Sequence, residues 1–364
     1  MPKGTSGSAR RSSGREAVAL LYDELFLHHR APYAHPESPD RLRAIRHLLH
    51  SAGVEEELMW LPVRPADEED IRAVHTDIHL QRVLTASLDG GGYLDADTFT
   101  NSASYDAAMM AAGAVQAGVD AVLSGECRRA FALVRPPGHH ATPGRAMGFC
   151  LFNNVAVGAR YAQRVYGLQR IFIVDWDVHH GNGTQDIFYT DPDVFFFSVH
   201  QYLSTTGELF YPGTGQWVEI GFGPGQGTTA NVPLPAGMND AVYRQIWHLI
   251  LIPLLRRWQP ELILISAGYD AHWRDPLANI HLSIAGFGHL ARRLIQVADE
   301  LGAPVVATLE GGYDLEALAL GVLSTIRAMQ GAPLPVDPLG TPASTPPTLD
   351  VLALLDRIRA AHGV

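Results

Sequence analysis

The chain has 364 residues, of which 47% are hydrophobic, so it can bury a large core and fold without disulfide staples. A formal net charge of −11 argues against unaided binding to nucleic acid or to an anionic membrane, since both need a basic field. Two cysteines, Cys127 and Cys150, and no apolar run near the roughly 18 residues of a membrane span predict a soluble, cytoplasmic protein.

The opening MPKGTSGSARRSSGR has no apolar periodicity, so residues 1–16 are expected to form a flexible tail. Apolar β-branched or aromatic runs follow at FALV (131–134), IFIVD (171–175), VFFFSV (194–199), LILIS (262–266) and PVVATL (304–309). Helical patterns alternate with them, among them YDAAMMAAGAVQAGVDAVL, NVAVGARYAQRVYG and DAVYRQIWHLILIPLLRRW. This alternation predicts βαβ units and a parallel sheet in one domain over residues 17–330. Between them GFGPGQG (221–227) opens no helix and reads as a mobile loop rather than a phosphate cradle. Residues 331–364 comprise a proline-rich connector and a last helix, LDVLALLDRIRAAHG, expected to pack on the same domain.

Ligands of open parallel sheets bind at the carboxyl ends of the strands. Here FALV runs into RPPGHH, IFIVD into WDVHHGNG, LILIS into AGYDAHWRDP, and VVATL into EGGYD, so four strands carry polar residues to one rim. Asp175, Asp177 and His179 recur at a period of two and share one side if the strand continues. Taken alone they read first as polar residues capping a strand, and only second as metal ligands. With Asp270 as a third ligand they would make a catalytic zinc site with one open position. His139 and His140 follow a rigid PPG turn and are candidates for the base beside a metal-bound water, with Asp175 and Asn182 as orienting partners. Tyr313 is either an oxyanion donor or a packing aromatic. The remaining histidines, including His35, His75, His79, His248 and His289, read as solvated or core residues.

These motifs resemble the histone deacetylase family of zinc amidohydrolases, and in particular its class II-like bacterial members. The likeness rests on HPESPDRLRAI (35–45), YLDADTFTN (93–101), RPPGHHATPGRAMGFCLFNNVAVGARYA (135–162), DWDVHHGNGTQDIFY (175–189), SVH (198–200), YPGTG (211–215), SAGYDAHWRDPL (266–277) and LEGGYD (309–314). The implied fold is the arginase–deacetylase fold, a single-domain three-layer α/β/α with a mainly parallel central sheet. The resemblance implies one Zn2+ on Asp177, His179 and Asp270, with His139 and His140 as catalytic histidines paired with Asp175 and Asn182, and Tyr313 as oxyanion donor. A structural K+ or Na+ would sit on Asp175, Ser198 and backbone oxygens of Asp175, Asp177, His179 and Val199. A second would lie near Phe188, Asp191 and Val194.

For the substrate, the resemblance implies an acyl-lysine tunnel lined by Gly148, Phe149 and Tyr211, with Asp97 on the rim. Leu277 stands where a polyamine-selective member carries a glutamate, and Tyr313 where weakly active members carry histidine. The bulky AHWR (271–274) is expected to reshape the tunnel mouth through His272 and Trp273. The implied substrate is an N-ε-acyl-lysine or related acylated amine, and a homo-oligomer is compatible with the sequence. The alternatives are an acetylpolyamine or small-metabolite amidohydrolase, a binuclear manganese ureohydrolase, which would need carboxylates at Gly181 and His272, and a non-catalytic acyl-lysine reader.

Overall fold

The structure, a computed structural model, describes residues 17–342 and 349–364. The expected tail at 1–16 and the connector residues 343–348 lie outside the described residues. The strands are β1 (Val18–Leu21), β2 (Met59–Leu61), β3 (Gly91–Tyr93), β4 (Phe99–Asn101), β5 (Arg129–Ala132), β6 (Ile171–Asp175), β7 (Val194–Leu203), β8 (Thr229–Pro235), β9 (Leu262–Ala267) and β10 (Val305–Leu309). In the first half of the chain lie α1 (Asp40–Ser51), α2 (Glu68–Arg72), α3 (Asp77–Leu88), α4 (Ser104–Leu123), α5 (Asn154–Tyr166) and α6 (Asn182–Phe188). The second half adds α7 (Asp240–Ile246), α8 (Ile252–Trp258), α9 (Ile284–Leu301), α10 (Leu315–Met329) and α11 (Leu349–His362).

Eight strands form one sheet in the order β2-β1-β5-β10-β9-β6-β7-β8, and every pairing within it is parallel. Strands β6, β9 and β10 are buried along their whole length, as expected for a sheet covered on both faces. Helices α4 and α5 pack together and touch the central strands, whereas α1, α9 and α10 form a second connected set. The sheet thus lies between two helical layers, the arrangement expected from the alternation. Near the end of the chain, Val351, Leu355 and Ile358 of α11 are buried in the same core, against β8.

The five anticipated strands are all present, and β7 continues four residues further, to Leu203. Three strands of this sheet escaped the sequence reading, as did β3 and β4, which form a separate two-stranded sheet. β1 and β2 are only four and three residues long, too short to show a period. β8, TANVPLP, carries Pro233 and Pro235, which demote a run in any sequence reading. It occupies the sheet edge, the one place where a missing N–H is tolerated.

The long helix anticipated over 240–258 is broken: a π-helical turn, Trp247–Leu251, separates α7 from α8. Pro253 lies in the first turn of α8 and lacks the N–H that would continue a regular ladder. The glycine-rich loop at 221–227 is tied down by backbone bonds, Phe222 N to Tyr189 O at 2.8 Å and Gly227 N to Ile220 O at 2.6 Å. No described helix is long and apolar enough to cross a membrane.

Candidate active site

Strands β5, β10, β9 and β6 are consecutive neighbours in the sheet, so their carboxyl ends open onto one place. Contrary to the simplest expectation, β6 stops at Asp175, and Asp177 and His179 lie on the irregular segment that follows. Hydrogen bonds rather than strand geometry bring their side chains together. Asp177 Oδ2 accepts from Gly311 N (2.8 Å), and Asp270 Oδ1 accepts from Val178 N (2.9 Å). The close approach of Gly311 is obligatory, since a Cβ there would sit 2.1 Å from Asp270 Oδ2.

His179 Nδ1 lies 3.1 Å from both Asp177 Oδ1 and Asp270 Oδ2. Among the described residues, Asp177, His179 and Asp270 are the one set of His, Cys, Asp or Glu whose ligand atoms lie within 4.8 Å of one another. Both carboxylates have no exposed surface. Burial penalises charge on His179, yet its bonds to Asp177 and Asp270 outweigh this and raise its pKa to about 10. Burial and the charge of Asp177 raise Asp270. Two buried carboxylates facing one imidazole call for a cation, and the donor set of two carboxylates and one ring nitrogen fits a divalent metal.

The tandem histidines diverge. His139 Nδ1 is 2.9 Å from Asp175 Oδ2, whereas His140 Nδ1 is 2.8 Å from Asn182 Oδ1, and the rings lie 4.1 Å apart. Burial opposes protonation of His139, but Asp175 and Asp177 overcome it and hold the pKa well above the usual imidazole range. Burial, reinforced by the charges of His139 and His179, pushes His140 well below it. Because the amide oxygen of Asn182 only accepts, the proton of neutral His140 resides on Nδ1, leaving a lone pair on Nε2. Asn182 is fixed in this sense by its amide nitrogen, 3.4 Å from Met147 Sδ.

Tyr313 faces Phe149 edge to face at 5.9 Å, with the Arg41 guanidinium 5.1 Å from its ring centre. Gly148 and Phe149 both have left-handed backbone, with φ of 56° and 67°. A Cβ at Gly148 would collide with the His140 ring at 2.4 Å, so glycine is required there. Phe149 holds its unusual conformation through a bond from its N–H to Thr98 Oγ1 (3.1 Å), next to half-exposed Asp97. Tyr211 meets His140 edge-on at 5.2 Å, and Leu277 is half-buried. Asp175 pairs in register with Ser198, beside Val199 on β7. Near Phe188 and Val194, the Asp191 carboxylate is engaged by Arg160, whose guanidinium also covers the Phe188 ring at 4.7 Å.

Several structural partners escaped the sequence reading. Glu310, fully buried, accepts from Gly138 N (2.7 Å), His139 N (3.2 Å) and Ser266 Oγ (3.1 Å), joining the ends of β5, β9 and β10. Asp275 accepts from Tyr313 N at 2.7 Å. Arg41 donates to Gly312 O (2.8 Å) and Glu310 O (2.5 Å) and is balanced by buried Glu37. Phe210 stacks on His179 at 5.3 Å. His35, grouped above with the unremarkable histidines, packs edge-on against Phe149 at 4.8 Å. His272 is buried, and Trp273 Nε1 donates to Gly340 O at 3.0 Å. Trp273 is thereby held against the C-terminal connector.

A covered parallel sheet with a carboxylate–imidazole cluster and paired histidines at its central strand ends defines an α/β protein of the arginase–deacetylase type whose cluster could hold a metal ion. Residues 35–329 match the family profile described as histone deacetylase domain, and the chain belongs to the histone deacetylase family. It is 42% identical to "Histone deacetylase 14, chloroplastic" of Arabidopsis thaliana, over 82% of this chain and 73% of that protein. It is 38% identical to "Histone deacetylase-like amidohydrolase" of Pseudomonas aeruginosa, over 88% of each. The crystal structure of the HDA15 HD domain superposes with a TM-score of 0.87 at 35% identity, covering 96% of this chain and 95% of that one. Membership places the chain among deacetylase-type hydrolases.

Proposed function

We propose that this protein is a zinc-dependent deacylase of N-ε-acetyl-lysine or a closely related acylated amine. The observation that carries this reading is the opposed pairing of the adjacent histidines, His139 on a carboxylate and His140 on an amide, beside Asp177, His179 and Asp270. Those three residues would hold the zinc, which supplies Lewis acidity toward the amide carbonyl and lowers the pKa of a water. His140 takes the proton of the attacking water on Nε2 and returns it to the leaving amine as the C–N bond breaks. His139, charged against Asp175, steadies the negative charge that develops. Tyr313 donates its phenol proton as a hydrogen bond to the carbonyl oxygen as that atom becomes an oxyanion.

Phe149 and Tyr211 would flank the acyl-lysine stem over Gly148, with Asp97 at the rim. Leu277 offers no charge to a second ammonium, which favours lysine over a polyamine. Asp175 and Ser198, with backbone oxygens of Asp175, Asp177, His179 and Val199, would hold a monovalent cation, K+ or Na+, and the Phe188, Asp191 and Val194 region a second. A side chain at Gly181 would collide with Asp175 at 2.2 Å, which favours a mononuclear over a binuclear centre.

Purified protein should contain one zinc per chain and cleave a fluorogenic acetyl-lysine peptide, and a chelator should abolish this. Tyr313→Phe should lower kcat by roughly 10²–10³ with zinc content unchanged. Two tightly bound manganese ions per chain, or full turnover by the tyrosine variant, would overturn the assignment.

A further inference from the structure

Away from the strand ends, α7 with its π turn and α9 enclose a pocket of about 460 Å³. Its walls carry Arg244 and His248 on one side and His289, Arg292 and Arg293 on the other. Trp247, Ile252 and Leu290 complete an apolar lining, and no acidic residue contributes to it. Arg244 and His248 are exposed and one turn apart, and so are His289 and Arg293. Two basic rows therefore face each other across one concavity.

Such an arrangement is unexpected in a chain of net charge −11, where a stray arginine finds a carboxylate easily. Among the described residues Arg244 forms no ion pair, and Arg293 hydrogen-bonds Gln296 Oε1 at 3.3 Å, with the Glu300 carboxylate further along the same helix. One carboxylate, Glu300, is shared between Arg293 and Arg256, so positive charge is still in excess here, and a multivalent anion between the two walls offsets it. Arg292 is different, because its guanidinium is occupied by Ala332 O. At the base of the pocket Trp247 is 1% exposed, and its Nε1 has no partner among the described residues. The π turn that carries Trp247 is a distortion found frequently at functional sites.

We propose that this pocket binds a small phosphorylated molecule of the nucleoside di- or triphosphate class. Guanidinium groups on opposite walls suit adjacent phosphates, which they grip through charge-assisted, bidentate bonds. Trp247, Ile252 and Leu290, each no more than 4% exposed, form only the floor, so a planar base would rest against the exposed His248 and His289 rings above it, and the volume lies within the usual range for a ligand of that size. A concave pocket fits a compact polyanion better than a flat anionic bilayer.

Isothermal titration calorimetry of the intact protein with ADP, tripolyphosphate and adenosine tests this. ADP should bind more tightly than tripolyphosphate, adenosine should give no measurable binding, and ADP affinity should fall with added salt. Arg244→Ala and Arg293→Ala alter exposed side chains, so both variants should keep the unfolding midpoint of the parent. Each should weaken ADP binding about 10-fold or more through loss of a charge-assisted contact. No binding of ADP at millimolar concentration would overturn the proposal. So would ADP affinity that both variants retain, as binding at the strand-end metal centre would give, or binding to phosphatidylserine vesicles in place of ADP.

Discussion

His139 and His140 are neighbours in sequence, yet their surroundings drive them to opposite protonation states. The difference lies in one partner atom each: a carboxylate oxygen from Asp175 and an amide oxygen from Asn182. Replacing that amide by a carboxylate isolates its effect. Asn182→Asp should raise the His140 pKa by about 1–3 units, as an opposite charge at this distance does. The acid limb of the pH–kcat/KM profile should then move up by a similar amount, and an unmoved limb would dissociate His140 from the base. The pairs themselves were legible in RPPGHH and DWDVHHGNG. Glu310 and Asp275 were not, because a single acid in LEGGYD or WRDP looks like any solvated carboxylate until the chain has folded around it.

At the scale of elements, the site depends on how the loops after β5, β9 and β10 are tied together. Glu310 is the knot, accepting from two backbone N–H groups and one hydroxyl with no access to water. Glu310→Ala strands those donors and should cost about 2–5 kcal/mol in urea unfolding. Glu310→Gln keeps an oxygen for the two N–H groups, while Ser266 turns to accept from the new amide, so its cost should be much smaller. Equal losses in the two variants would mean that charge, not hydrogen bonding, is what Glu310 supplies. The element types were largely readable, since buried β-branched runs alternate with longer helical periods. Their interruptions were less so: the π turn before Pro253 breaks a pattern that sequence periodicity carries straight through.

For the whole molecule, the buried titratable groups set a dependence on pH. Burial lowers His29 and His75 to about 3 and His272 and His362 to about 4. These four stay neutral in the folded chain but take up protons near pH 6.5 when unfolded, so acidification below that value favours unfolding. Glu310 and Asp275, raised to about 7 by burial, act in the opposite sense, because the folded chain protonates them first. Four histidines outnumber two carboxylates, and adding His200, lowered to about 3, on one side and Asp175, raised to about 6, on the other leaves the balance unchanged. Stability should therefore fall as pH drops from 6.5 to 4.5, by at most about 2–3 kcal/mol per unit. Urea midpoints at pH 7, 6 and 5 measure this, and a constant or rising midpoint toward acid would contradict it.

Composition, periodicity and the four polar strand ends were enough to establish a parallel α/β fold and to bring out Asp177, His179, Asp270, His139, His140 and Tyr313 as candidates, which the family resemblance joined into one constellation. Local sequence can do this because strand burial and turn chemistry are short-range properties. Tertiary structure alone decided which strands are neighbours, how an irregular segment rather than a strand aims Asp177 and His179, and where His272 and Trp273 point. It also brought together Arg244 and Arg293 from helices far apart in the chain. These depend on contacts between distant residues, and no pattern within one segment encodes which distant groups will share its solvent, its charge and its hydrogen bonds.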